Sequence, residues 1–291
     1  MTDSSLRNPL AAQSATSPTT ASSQWGKWAL VAFVVAYLAL VLLIPALNVF
    51  TQAFKGGLAG LMDTFTSHHF LNAVKLTLIA TAITVPLNTI FGLCAAIALA
   101  NKTFPGRSLL ISIIDLPFSI SPVVAGLMLV LLFGNRGWFG PLLDVAGIKI
   151  IFALPGIVIA TIFVTMPFIA REVLPALEEN GTEQEEAAAT LGATPWQTFW
   201  RVTLPSVKWS LLYGLILCNA RAMGEFGAVA VVSGNIAGKT QTLPLFIEEA
   251  HIQYNTPAAY AAALLLACLA IVTLILKYLL ERNVGITHKG H

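Results

Sequence analysis

Six stretches of near-continuous apolarity set the rhythm of the chain: Trp28 to Phe50, Leu76 to Ala100, Leu109 to Gly134, Phe152 to Ala170, Val207 to Gly234 and Pro257 to Leu280. A helix rises ~1.5 Å per residue and satisfies its own backbone hydrogen bonds, so each stretch is long enough to cross a hydrocarbon core of ~30 Å. Between the fourth and fifth lies a polar interruption, Glu186 to Pro205, reading EAAATLGATPWQTFWRVTLP. Its end signals predict two short helices joined by a sharp turn. Thr182 with Glu185, and Thr194 with Gln197, have the spacing of capping boxes. Gly192 supplies the left-handed residue that stops the first helix, and Pro195 suits the first position of the second. Trp196, Phe199 and Trp200 then fall at helical spacing, an aromatic stripe on a water-exposed hairpin that calls for a partner surface.

Several spans carry residues that disturb helices: Pro86 near Asn88, the run Pro117, Ser119, Ser121 and Pro122, and then Pro155 and Pro167. Backbone groups freed at membrane depth are tolerated where protein or a watery cavity satisfies them, which fits a bundle lining a pathway; prolines are also commoner in membrane helices generally. The leader, residues 1–27, is rich in Ser, Thr and Ala with only Asp3, Arg7 and Lys27 charged, and is expected to be a disordered tail. No small-residue cleavage pattern follows Trp28 to Phe50, so that span is expected to be retained. The expected layout is therefore one six-helix domain over 28–282 bearing the hairpin 182–205, with a second tail at 283–291.

Composition turns these candidate spans into a class. Of 291 residues 56% are apolar and 10% charged, against roughly 25% charged in soluble domains, and the mean hydropathy is +0.78. The expectation is an all-α, polytopic membrane protein with six transmembrane helices. Six crossings put both termini on one side, and Lys and Arg choose it. Ten of the sixteen, among them Lys27, Lys102, Arg107, Arg171, Arg201 and Lys208, fall on the terminal side, and five (Lys55, Lys75, Arg136, Lys149, Lys239) on the other. The excess predicts cytoplasmic termini and a cytoplasmic hairpin.

A net charge of +2 with scattered basic residues excludes a nucleic-acid partner. Cys94, Cys218 and Cys268 sit apart inside apolar runs and are expected to be buried, inert thiols. The adjacent His68 and His69 read as a surface pair rather than metal ligands. There is no Walker A phosphate loop and no nucleophile motif inside the spans, so the chain is expected to carry no cofactor and no catalytic site of its own.

Two opposite charges lie at depth in the fifth span. Arg221 falls near the middle of the fifth span, where insertion costs roughly 2.5 to 3.5 kcal/mol, so it is expected to face protein or water. Glu225 follows at i+4 with Gly224 between, so a single helix face would hold Arg221, Gly224 and Glu225. Two readings stand side by side: a self-paired salt bridge that holds the helix in the bundle, or a positive site on an anion pathway, tempered by Glu225 so that the anion is released. Gly224 and Gly227 allow either close helix packing or a wider path.

With hairpin, spans and orientation assembled, the chain resembles the membrane permease subunits of bacterial ABC importers, whose mark is Glu-Ala-Ala, three residues, Gly, nine residues, then Ile-x-Leu-Pro. Glu186, Ala187, Ala188 and Gly192 match, and Val202, Leu204 and Pro205 close the pattern with Val in place of Ile. The resemblance implies a type I importer (MetI-like) architecture and a hairpin that docks on a cytoplasmic ATPase, to which ATP and Mg belong. Within that class, Asn219 to Val231 (NARAMGEFGAVAV) and the run from Asp115 to Gly126 look like the oxyanion permeases for sulfate, thiosulfate and molybdate. Further blocks, Trp25 to Trp28, Thr165 to Glu172, Ser233 to Ile236, Leu243 to Leu245 and Tyr254 to Thr256, are similar to the sulfate/thiosulfate branch. That likeness implies a bacterial cytoplasmic-membrane complex with a second, homologous permease subunit, two copies of an ATPase and a periplasmic sulfate-binding protein. The rival readings are the same machine for molybdate, tungstate or another oxyanion, and a gradient-driven carrier or channel in which the hairpin is an ordinary loop.

Overall fold

The computed structural model describes residues 22–55, 57–100 and 104–287, and these are helical with no β-strand among them. The chain divides into two units, residues 1–48 and 49–291. The described part of the first unit belongs to α1 (Ser22–Ala53), whose large apolar side chains between Trp28 and Leu47 are exposed, with Ala39 half-buried. This helix begins at Ser22, six residues before the expected start of the first span; residues 1–21 lie outside the described residues.

The second unit is organised around α7 (Leu154–Asn180), which packs against most of its neighbours. Helix α3 (His68–Ala100) runs parallel to it: Ala80 clusters with Val158, Asn88 reaches Ile162 and Thr165, and Gly92 meets Ile169. A Cβ added at Gly92 would come within 2.8 Å of Ile169 Cβ, so glycine is what lets the two backbones approach. The remaining elements are α2 (Gly57–Thr66), α4 (Arg107–Ser119), α5 (Pro122–Phe133), the short α6 (Gly140–Val145), the hairpin helices α8 (Glu183–Thr190) and α9 (Pro195–Thr198), then α10 (Leu204–Met223), α11 (Gly227–Ser233), α12 (Leu243–Ile252) and α13 (Thr256–Thr287). Helix α13 extends to Thr287, and residues 288–291 lie outside the described residues.

Among the described residues, four helices are individually long and apolar enough to span a membrane, and two bent pairs bring the number to six if each pair is one span. The expected third span is α4 plus α5, bent by 108°, and the fifth is α10 plus α11, bent by 51°. Both pairs advance along the full length of α7, antiparallel to it, as broken crossings should. For α4 and α5 the sequence of contacts is Arg107 with Glu178, Phe118 with Phe168, then Val130 and Phe133 with Val164, Ala160 and Ile151. For α10 and α11 it is Gly214 with Glu172, Cys218 with Thr165, and the Phe152 N–H with the Val232 carbonyl.

The first break has a local cause. The ring of Pro122 disfavours the α conformation at the residue before it, and both Ile120 and Ser121 are extended, with ψ of 133°. Pro86, Pro117 and Pro167 lie inside helices that continue through them, so of the proline sites only Ser121–Pro122 interrupts a span. The second break, at Gly224 to Phe226, contains no proline. The cysteine expectation fails in part: Cys218 is buried, but Cys94 and Cys268 are exposed on this chain's surface.

Candidate coupling hairpin and intramembrane charge pair

The hairpin forms much as its end signals predict. Helix α8 closes in a Schellman arrangement: the Gly192 N–H donates to the Ala189 carbonyl and the Ala193 N–H to the Ala188 carbonyl, each at 3.0 Å, with Gly192 at φ +83°. Nothing lies within 4 Å of where a Gly192 Cβ would be, so the glycine is required by conformation and not by space. The second capping box is present, with the Gln197 N–H donating to Thr194 Oγ1 and the Thr194 N–H donating to Gln197 Oε1. The first is not. The Thr182 hydroxyl donates to Glu186 Oε1 at 2.8 Å instead, and Glu185 accepts from the buried Thr203 hydroxyl, tying α8 to the segment that follows α9.

That segment, Phe199–Thr203, is a π-turn, and it removes the expected boundary between hairpin and span. Pro205 has no N–H and its ring crowds the carbonyl four residues back, so the helix widens there, and the Leu204 N–H reaches the Phe199 carbonyl. The outcome is one helical rod over Pro195–Met223. At its free end Trp196, Phe199 and Trp200 pack edge and face on one another, with Leu191, Trp196 and Trp200 exposed. Glu186, Ala187 and Pro205 are also exposed, and Ala188 and Leu204 are half-buried. Beside the hairpin, Arg107 ties three elements together, pairing with Glu178 and donating through Nε to the Leu99 carbonyl at 2.9 Å.

Arg221 sits in the last turn of this rod, and Glu225 in the break beyond it. They pair as the spacing predicts, Arg221 Nη1 to Glu225 Oε2 at 2.6 Å, although not on one continuous helix. Glu225 is 2% exposed, and its Oε1 accepts from the Ala228 N–H at 3.1 Å, capping α11. Its Oε2 has a charge partner but no donor aligned for a hydrogen bond. The Arg221 side chain is about one-third open to the surface of the chain. Gly224 is exposed, with room around it for a Cβ; it faces a small cleft with Ala220, Ala267 and Ala270 and makes no close helix contact.

Two polar features escape the spacing patterns. Arg171 grips Asp115 with both ends of its guanidinium, at 2.8 and 3.0 Å, and lies 4.8 Å over the Phe118 ring. Asn88, fully buried, donates to Thr165 Oγ1 at 2.7 Å and lies 3.8 Å from Cys218 Sγ, joining α3, α7 and α10. A buried Asn in an oily span was the available signal for the second. Among the described residues no cluster of three or more His, Cys, Asp or Glu could hold a metal ion.

Residues 88–286 match the model of the family described as Binding-protein-dependent transport system inner membrane component. The chain belongs to that family. It is 62% identical over 263 residues, 90% of this chain and 92% of the relative, to the Sulfate transport system permease protein CysW of Synechococcus elongatus. Against two Escherichia coli proteins it is 47% identical to CysW, covering 88% of each chain, and 38% identical to the permease CysT, covering 88% of this chain and 92% of that one. Among solved structures, a bacterial ABC transporter that imports the acidic polysaccharide alginate superposes with a TM-score of 0.75 at 20% identity, over 90% of this chain and 96% of that one. That likeness fixes the fold, a type I importer permease. The transport component is thus a membrane permease subunit and not an enzyme.

Proposed function

We propose that this chain is one of two permease subunits of an ATP-driven importer that carries sulfate or thiosulfate into the cell by alternating access. The single observation that supports it most is the 62% identity to a sulfate permease over nearly all of both chains, with higher identity to CysW than to CysT within one organism. The second permease subunit is accordingly a CysT-like relative. Two copies of an ATPase bind ATP and Mg, and a periplasmic sulfate-binding protein delivers the anion.

The hairpin gives the reading its mechanics. Glu186, Ala187, Ala188, Gly192, Leu204 and Pro205 shape a rigid knob whose exposed aromatic stripe fits a groove on the ATPase. Motion of that groove passes along Pro195–Met223 to Arg221. Arg221, Gly224 and Glu225 line the anion path, where the arginine supplies positive potential and the buried carboxylate keeps it from holding a dianion too tightly. The termini and the hairpin lie in the cytoplasm, in keeping with the excess of Lys and Arg on that side.

The test is co-expression with the candidate ATPase, CysT-like subunit and binding protein in cells lacking sulfate uptake. Radiolabelled sulfate should enter in an ATP-dependent way, with thiosulfate competing and molybdate competing weakly. Stronger competition by molybdate would reassign the cargo, and uptake that survives omission of the ATPase would point to a gradient-driven carrier.

A further inference from the structure

The end of α7 remote from the hairpin carries two cavities of opposite character. The larger, about 610 Å³, is lined by Asp63 and Glu249 with no Lys or Arg in its walls. The smaller, about 460 Å³, lies between the end of α5 and the start of α7 and is lined by Arg136 and Lys149 with no Asp or Glu. Its size is that of a small-ligand site. Of the five Lys and Arg that the sequence places on this side of the membrane, two therefore converge on one cavity. Among the described residues neither of them makes an ion pair.

The walls are fixed by the backbone. Arg136 sits in a turn folded back on the end of α5, where the Gly137 N–H donates to the Gly134 carbonyl at 2.7 Å and the Phe139 N–H to the Leu132 carbonyl at 2.9 Å. A Cβ at Gly137 would come within 2.5 Å of the Leu131 carbonyl oxygen, so the fold-back needs glycine. On the opposite wall Lys149 leads into the buried Ile151 and then Phe152, whose φ of +58° is strained for a bulky residue. Such strain persists where the surroundings over-determine it. Here the Phe152 N–H donates to the Val232 carbonyl at 2.9 Å, and the Phe152 ring takes the space that a Gly234 Cβ would need. The cavity thus adjoins one end of α11, and Glu225 caps the other end, about 10 Å away along a seven-residue helix.

Two cations that share a cavity without a counter-charge draw anions from solution and concentrate them there. We propose that Arg136 and Lys149 form a receiving site for a tetrahedral oxyanion at the outward mouth of the permease, ahead of Arg221. This rests on the reading of the chain as an oxyanion importer subunit with its hairpin in the cytoplasm. Two charges in an open cavity hold the anion weakly enough to pass it on. A phospholipid phosphate has the same chemistry, and the exposed Leu131 and Phe152 at the cavity could meet acyl chains, so the test separates the two sources.

The measurement is sulfate carried per ATP hydrolysed by the full complex in phosphatidylcholine proteoliposomes with saturating binding protein. Arg136→Gln with Lys149→Gln should lower that ratio about threefold or more, because anion released without a receiving charge escapes outward. Arg136→Lys with Lys149→Arg keeps both charges and should recover at least about half of the wild-type ratio. Raising the salt should bring the wild type toward the glutamine pair, because screening shortens from ~10 Å at 0.1 M to ~3 Å at 1 M. An unchanged ratio in the glutamine pair overturns the inference and leaves the importer reading standing. A wild-type complex that carries no oxyanion overturns the importer reading and this inference with it. A loss that appears only when phosphatidylglycerol is added gives the cavity to lipid and also overturns the inference. Should the glutamine pair fail to assemble, a map of the wild-type complex with tungstate, an electron-dense tetrahedral dianion, decides: density between Arg136 and Lys149 supports the site, and an empty cavity overturns it.

Discussion

Glu225 is the residue on which most depends. It is buried at mid-span, capping α11 with one oxygen and neutralising Arg221 with the other. Arg221→Leu would strand that carboxylate without a charge partner, at a cost of about 3–5 kcal/mol. Leu at both positions should recover detergent-stable complex in size-exclusion chromatography without recovering uptake; if the double variant is as unstable as the single, the pair is not mutually neutralising. Gly192 acts through its backbone alone, since space around it is open and its φ is +83°. Gly192→Asn, which tolerates the left-handed region, should keep most uptake, and Gly192→Val should lose it; equal loss would mean the position touches the ATPase directly. The Arg221–Glu225 pair was legible from i,i+4 spacing, and Gly192 from its place after a polar helix. The Arg171–Asp115 pair was not, because its two residues lie in different helices and no local spacing links them.

At the scale of elements, the rod Pro195–Met223 has 29 residues and reaches about 43 Å, joining the exposed aromatic tip to the charge pair without a joint. Trp196→Ala with Trp200→Ala should leave the protein in the membrane but cut ATPase co-purification at least about tenfold. Undiminished co-purification would make the stripe mere packing within the hairpin. The helices at the tip were legible because caps and turns are written in a few adjacent residues. Their fusion to the fifth span was not, since the π-turn depends on how the chain accommodates Pro205 rather than on a composition signal. The 108° bend in the third span has a local signature in Ser121–Pro122, whereas the 51° bend at Gly224 has none strong enough to read. A second joint holds these broken spans together. A Cβ at Gly126 would meet the Ala228 carbonyl oxygen at 2.8 Å and Val231 Cβ at 2.9 Å, so Gly126→Val should force α5 from α11, cost roughly 1–3 kcal/mol and lower the thermal midpoint of the purified complex. An unchanged midpoint would place that contact elsewhere.

Within residues 49–291, α7 is the axis: α3 runs parallel to it, and two broken crossings run antiparallel, one of them continuous with the hairpin. Hydropathy alone gives six apolar stretches of similar standing; it does not show that two are broken or that α7 is central, because those follow from packing between segments far apart in sequence. Single cysteines in a cysteine-free chain test the orientation. Arg136→Cys should react with an impermeant thiol reagent in intact spheroplasts, and Arg201→Cys only after permeabilisation; the reverse pattern would invert the topology. The central claim, that this chain forms part of an ATP-driven oxyanion importer, is tested most directly by radiolabelled sulfate uptake into proteoliposomes holding the assembled complex with ATP inside and binding protein outside. The expected result is sulfate accumulation that needs ATP hydrolysis and is lost with Glu186→Lys. Accumulation that proceeds without ATP, or no sulfate entry from a complex that hydrolyses ATP in response to another anion, would contradict it.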